Sequence, residues 1–113
     1  MTGPARGEVW LVDLGATLGR EQKGRRPALV VSHSLFNRGP AGLVVVVPMT
    51  GHLRPIPSHV RVKPPDSGLD RESSAMCEMV RSISRRRLVR RLGAVGDAAL
   101  REVEEMLRTL LVL

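Results

Sequence analysis

The sequence predicts a mainly β fold: a small, strongly curved, barrel-like sheet closed by one C-terminal helix. Three observations carry that expectation. Short apolar runs bounded by turn residues recur between residues 8 and 95. Only residues 97–113 show apolar side chains at helical spacing. A chain of 113 residues supports one core and no second, so residues 1–113 are expected to form a single domain.

Glu8–Asp13 (EVWLVD) reads as the first strand. Residues 15–26 follow, rich in glycine and charge and without apolar period, which predicts a long loop. Ala28–His33 and Leu43–Pro48 are β-branched runs that predict buried strands, joined by a turn at Asn37-Arg38-Gly39-Pro40. His59, Arg61 and Lys63 alternate with Val60 and Val62, the pattern of a half-exposed strand that Pro64 and Pro65 end. Ala75–Ser84 predicts another strand, with Ser84 capping a short turn through the arginines beyond it, and Leu92–Val95 a last one. Asp97 is the expected N-cap of the helix. Leu100, Val103, Met106, Leu107, Leu110 and Leu111 form its apolar stripe, opposite Arg101, Glu102, Glu104, Glu105 and Arg108. That stripe is expected to close the core.

Composition narrows the function. The formal net charge is +7, and sixteen of the eighteen basic residues are arginine, whose guanidinium matches phosphate oxygens bidentately. Residues 1–96 alone carry a formal +9, and Arg85, Arg86, Arg87, Arg90 and Arg91 fall within seven positions. Such charge points to nucleic acid. Trp10 and Phe36 are the only Trp, Tyr or Phe residues, so the stacking platforms of RRM and OB domains are excluded. The sole cysteine, Cys77, excludes an internal disulfide and a cysteine-rich zinc site. Residues 1–7 hold no signal-like apolar stretch, and Leu43–Met49 is too short to span a membrane. A cytoplasmic protein without membrane contact is expected.

Two apolar strands joined by about eight residues pair naturally as an antiparallel hairpin. With the turn centred near Arg38, paired residue numbers add to about 76, which sets Arg26 opposite Thr50. Opposed residues share a face with Cβ atoms roughly 4.5–5.5 Å apart, so a guanidinium and a hydroxyl would converge. A slip of one residue would separate them.

Three stretches resemble the MazF/PemK toxin family. Arg6-Gly7-Glu8-Val9-Trp10, running on to Asp13-Leu14, is similar to the family's opening strand. Gly19-Arg20-Glu21-Gln22 with Arg26-Pro27-Ala28-Leu29-Val30 is similar to its "G-S-E-Q…R-P-x-V-V" segment, and Val47-Pro48-Met49-Thr50 to its "V-P-x-T". Glu78-Met79-Val80-Arg81-Ser82-Ile83 resembles "E-Q-I-R-S/T-I", and the order holds across essentially the whole chain. The resemblance implies an SH3-like barrel of the MazF/PemK/CcdB type and a homodimer. It implies a toxin of a type II toxin–antitoxin system: a sequence-specific, metal-independent endoribonuclease without a cofactor. Its partners would be single-stranded RNA and a cognate MazE-like antitoxin.

The resemblance makes Arg26 and Thr50 catalytic, and Arg20, Glu21, Gln22, Arg25, His52, Glu78, Arg81 and Ser82 the expected RNA contacts. This sequence departs from the family pattern at Arg20, Met79 and His33-Ser34. Without a metal, the 2′-OH attacks the adjacent phosphorus and leaves a 2′,3′-cyclic phosphate and a 5′-OH. Arginine suits charge stabilisation better than proton transfer, because free guanidinium titrates above about 12. Glu21 or Glu78 is the candidate base. The spacing of His33, His52 and His59 brings no two of them together, so a paired-histidine mechanism is not expected. The alternatives are a CcdB-like gyrase poison and a non-catalytic RNA-binding SH3-like module.

Overall fold

The computed structural model describes residues 3–15, 24–64 and 67–113. In chain order these form β1 (Glu8–Asp13), β2 (Arg25–Val30), α1 (Ser34–Asn37), β3 (Leu43–Thr50), β4 (His59–Val62), β5 (Ser73–Met76), β6 (Arg81–Ser84), β7 (Leu88–Ala94) and α2 (Asp97–Leu111). Every ladder is antiparallel, in the order β4-β5-β3-β2-β1-β7, with β6 also on β3.

β3 organises the sheet. One edge pairs with β2; the other is shared, Leu43–Val46 pairing with β6 and Met49–Thr50 with β5. The expected single strand Ala75–Ser84 is therefore corrected to two strands separated by a 3₁₀ turn at Cys77–Met79. The register on β3 advances by three residues between its two halves, the length of that turn. A turn without glycine or proline leaves no compositional mark.

β2 starts and ends earlier than expected. Arg25 and Arg26 pair with Asp13 and Val12 of β1 despite their charge. At its other end, His33 leaves the sheet to cap α1, its Nδ1 accepting from the Leu35 N–H at 3.0 Å. The expected turn at Asn37 is the last residue of α1 and is fully buried. The Asn37 side chain donates to the carbonyls of Pro4 and Ser32 at 3.0 and 3.1 Å and accepts from the Ser32 hydroxyl. β7 runs from Leu88, longer than expected, because β1 pairs along it through two irregularities. The N-cap of α2 is Gly96 and not Asp97. Asp97 is the first helical residue, where its charge still faces the positive end of the helix dipole.

Alternation divides the apolar side chains between the two faces of the sheet. Val9, Leu29, Val47, Met49, Val60 and Ala75 join Val103 of α2 in one core, with Leu100, Met106 and Leu107 against it. Val12, Leu14, Ala28, Val30, Val44, Val46 and Ile83 form the other. The connection between β4 and β5 packs against β7. Gly68 lies so close to β7 that a Cβ there would fall 2.0 Å from the Leu92 carbonyl oxygen. Its φ of +75° also requires glycine. Among the described residues, no helix is long and apolar enough to cross a membrane.

Candidate active site

Ala28, Leu29 and Val30 pair with Pro48, Val47 and Val46, so the numbers of each pair add to 76. The same register carried outward sets Arg26 opposite Thr50, the geometry the hairpin argument expects. Both line one cavity of about 830 Å³.

The register of the neighbouring strands explains the floor of this cavity. Thr50 opposes Ser74, Arg61 opposes Ser74, and His59 opposes Met76. Opposed residues share a face, so one side of β2, β3, β5 and β4 presents Arg26, Thr50, Met76 and His59 together. The segment after β3 adds His52, Arg54 and Ile56, and the 3₁₀ turn between β5 and β6 adds Glu78 and Met79. The lining thus combines two guanidinium groups, a carboxylate and apolar side chains.

The Thr50 hydroxyl oxygen accepts from the His52 N–H at 3.1 Å, which leaves its own hydrogen to donate. Glu78 is held on both oxygens, by the Ser58 hydroxyl at 2.6 Å and by His59 Nε2 at 2.8 Å. Partial burial opposes ionisation of Glu78. The Ser58 bond, its own backbone N–H and His59 outweigh it and hold the carboxyl below its usual range. Glu78 is therefore ionised at neutral pH and a weak proton acceptor. The His59 side chain is 4% exposed, and its Nδ1 is buried without a hydrogen bond among the described residues. Neighbouring Cys77 is no nucleophile: burial, then the charge of Glu78, pushes its thiol up to about 11. Among the described residues, no group of three or more histidines, cysteines and acids is arranged to hold a metal ion.

Residues 5–111 match the family model described as the PemK-like, MazF-like toxin of type II toxin–antitoxin systems. The chain belongs to this family. It is 37% identical over 108 residues to Endoribonuclease MazF9 of Mycobacterium tuberculosis, covering 91% of this chain and 92% of that one. Crystalline MazF of Deinococcus radiodurans superposes with a TM-score of 0.85 at 30% identity, over 98% of each chain. A mycobacterial endoribonuclease, solved in complex with its cognate antitoxin, gives 0.80 at 31% identity over 97% of this chain and 96% of that one. The expected barrel with a C-terminal helix is thus the fold of this toxin family.

Of the expected site residues in this toxin chain, Arg26, Thr50, His52 and Glu78 share the cavity. Arg25 is exposed and, next to Arg26 along β2, belongs to the opposite face. Arg81 and Ser82 lie on β6 opposite Val46 and Val45, along the first half of β3 and outside the cavity lining. Arg20, Glu21 and Gln22 fall outside the described residues. His52 and His59 line the same cavity, whereas His33 caps α1. Sequence reasoning also missed Arg54, Ile56, His59 and Met76. The alternation of His59-Val60-Arg61-Val62 marks the outward side of β4, but only the β3–β5–β4 pairing shows what that side joins.

Proposed function

We propose that Arg26 and Thr50 are the catalytic pair of a metal-independent endoribonuclease, the toxin of a type II toxin–antitoxin system. What supports this reading is their convergence from two neighbouring strands into one cavity. The family placement and the endoribonuclease relatives support an RNA substrate, which we take to be single-stranded. The 2′-OH attacks the adjacent phosphorus, the bond to O5′ breaks, and the products carry a 2′,3′-cyclic phosphate and a 5′-OH. Arg26 supplies fixed charge and two donors to the non-bridging oxygens as negative charge builds there. Thr50, its oxygen already held by the His52 amide, donates its hydrogen to the same phosphate. Glu78 and His52 contact the RNA beside that linkage, and Arg20, Glu21, Gln22, Arg25, Arg81 and Ser82 are proposed as outer contacts.

The chain acts as one domain over residues 1–113, as a cytoplasmic homodimer restrained by a cognate antitoxin. The relative solved with its antitoxin supports that partner. Mapping 5′-OH ends on a long RNA tests the assignment. Arg26→Ala and Thr50→Val are expected to fold and to lose cleavage. Full cleavage by either variant would overturn the catalytic pair.

A further inference from the structure

We propose a second phosphate-binding element, a rail formed by Arg61 and Lys63 that holds the backbone of the RNA flanking the scissile linkage. The proposal rests on the reading of the cavity as an RNA site and names residues that reading does not use. Its basis is the register. Arg61 opposes Ser74, and Ser74 opposes Thr50, so Arg61 lies in a cross-strand row with Thr50, on the same face. Two residues before it, on the same side of β4, His59 lines the cavity. Two residues after it comes Lys63, which is exposed.

Arg61 therefore stands about 6.6 Å beyond His59 along β4, from a strand rise of ~3.3 Å per residue, and Lys63 follows just past the end of the strand at Val62. That step is on the scale of one nucleotide of extended backbone. β4 is an end strand of the sheet order, so a ligand can lie along it. At the centre of the row, Ser74 is fully buried and its hydroxyl has no partner among the described residues.

Glu72 is the acid that faces this rail. It approaches the Arg61 guanidinium only to 3.7 Å, with side chains 48% and 32% exposed. A loose, solvated pair of this kind is weak and gives way to a phosphate diester. With few aromatic residues to stack bases, charge along the backbone is the grip this chain can offer.

The test is a binding titration over a range of salt concentrations. The probe is a single-stranded RNA with one 2′-deoxy nucleotide at the mapped cleavage site, so that it binds without being cut. Arg61→Ala with Lys63→Ala is expected to make log K against log[salt] shallower by about 0.7 per lost contact, near 1.4 in all. An oligonucleotide trimmed to the scissile dinucleotide is expected to bind both proteins alike, and kcat at saturating long RNA to stay unchanged. Arg61→Lys is expected to keep most of the slope. Arg101→Ala with Arg108→Ala removes the same charge from α2 and is expected to leave the slope in place.

An unchanged slope in the β4 double variant, or an equal change in the α2 control, overturns the rail. Aggregation of the β4 variant with RNA affinity intact does the same, because the charges would then only guard a sheet edge. The nuclease reading fails separately, if the wild-type chain leaves RNA uncut. The titration then runs on unmodified RNA and still decides the rail.

Discussion

Between Arg85 and Arg91 the chain places five arginines in seven positions, whereas Arg26 and Arg54, which share the cavity, stand 28 residues apart. Three of the five arginines in the dense run are bound into the scaffold. Arg85 Nη1 donates to the carbonyls of Asn37 and Gly39 at 2.6 and 3.2 Å and so ties down the connection between β2 and β3. Arg87 donates to the Asp13 carbonyl at 3.1 Å, and Arg91 pairs with Glu8 at 2.9 Å. Of the sparse arginines, Arg26 reaches the cavity from β2 and Arg54 from the segment that follows its partner strand β3. Charge density along a chain thus locates exposed surface and carbonyl braces. Register locates the site.

The sharpest break of this comparison is Arg26→Lys against Arg86→Lys. Lysine keeps the charge and loses the planar fork. If Arg26 works by two aligned donors on a developing phosphorane, its variant should lose about 10²–10³ in kcat, the scale for one transition-state donor. Arg86→Lys should cleave at the wild-type rate. Single-turnover cleavage of one RNA compares them directly, and equal rates for all three proteins would mean that fork geometry is not used.

Arg85→Ala separates bracing from catalysis. The substitution strips a charged donor from two carbonyls in a part-buried site, which should cost about 1–3 kcal/mol in a urea titration. Cleavage per folded molecule should not change, because Arg85 acts on the connection remote from the cavity. A drop in kcat with stability intact would place this arginine in the site instead.

What the sequence alone reveals follows the same division. The β2–β3 hairpin is legible because its ends are close in sequence and its apolar runs set the register; the ladder repeats the expected sum of 76. The α2 stripe is legible from its period, though not its cap, since Gly96 has no side chain to announce itself. The far wall of the cavity is not legible. It needs β4 and β5 to reach β3 across a long connection, and it needs a 3₁₀ turn at Cys77–Met79 to present Glu78 and Met79. Apolar alternation reads through that turn as if it were strand.

Acid tests Glu78. Its carboxyl titrates lower in the folded chain than the ordinary value of 4.5, so the folded state binds fewer protons there. The stability it contributes is present above about 4.5 and is lost as pH falls through the lower folded value. Glu8 behaves alike: burial opposes its charge, and bonds from the Ala5 amide, Trp10 and Arg91 outweigh it. Glu78→Gln should therefore flatten, without abolishing, the fall in thermal midpoint below pH 4.5. If the fall is as steep as in the wild type, the bonds from Ser58 and His59 contribute nothing to stability.

The smallest effect belongs to the most conspicuous charges. Arg86 and Arg90 are exposed within the dense run, one in the 3₁₀ turn before β7 and one opposite Leu11 on β7. Replacing both with alanine removes more charge than Arg26→Lys, which removes none. Even so, the pair should leave the unfolding midpoint and kcat unchanged, because neither residue lines the cavity. Only a modest, salt-sensitive loss of RNA association is expected, since exposed charges act at long range and are screened within about 10 Å at 0.1 M salt. A loss of kcat that persists at high salt would mean that the dense run reaches the scissile phosphate, and the contrast between the two arginine regions would disappear.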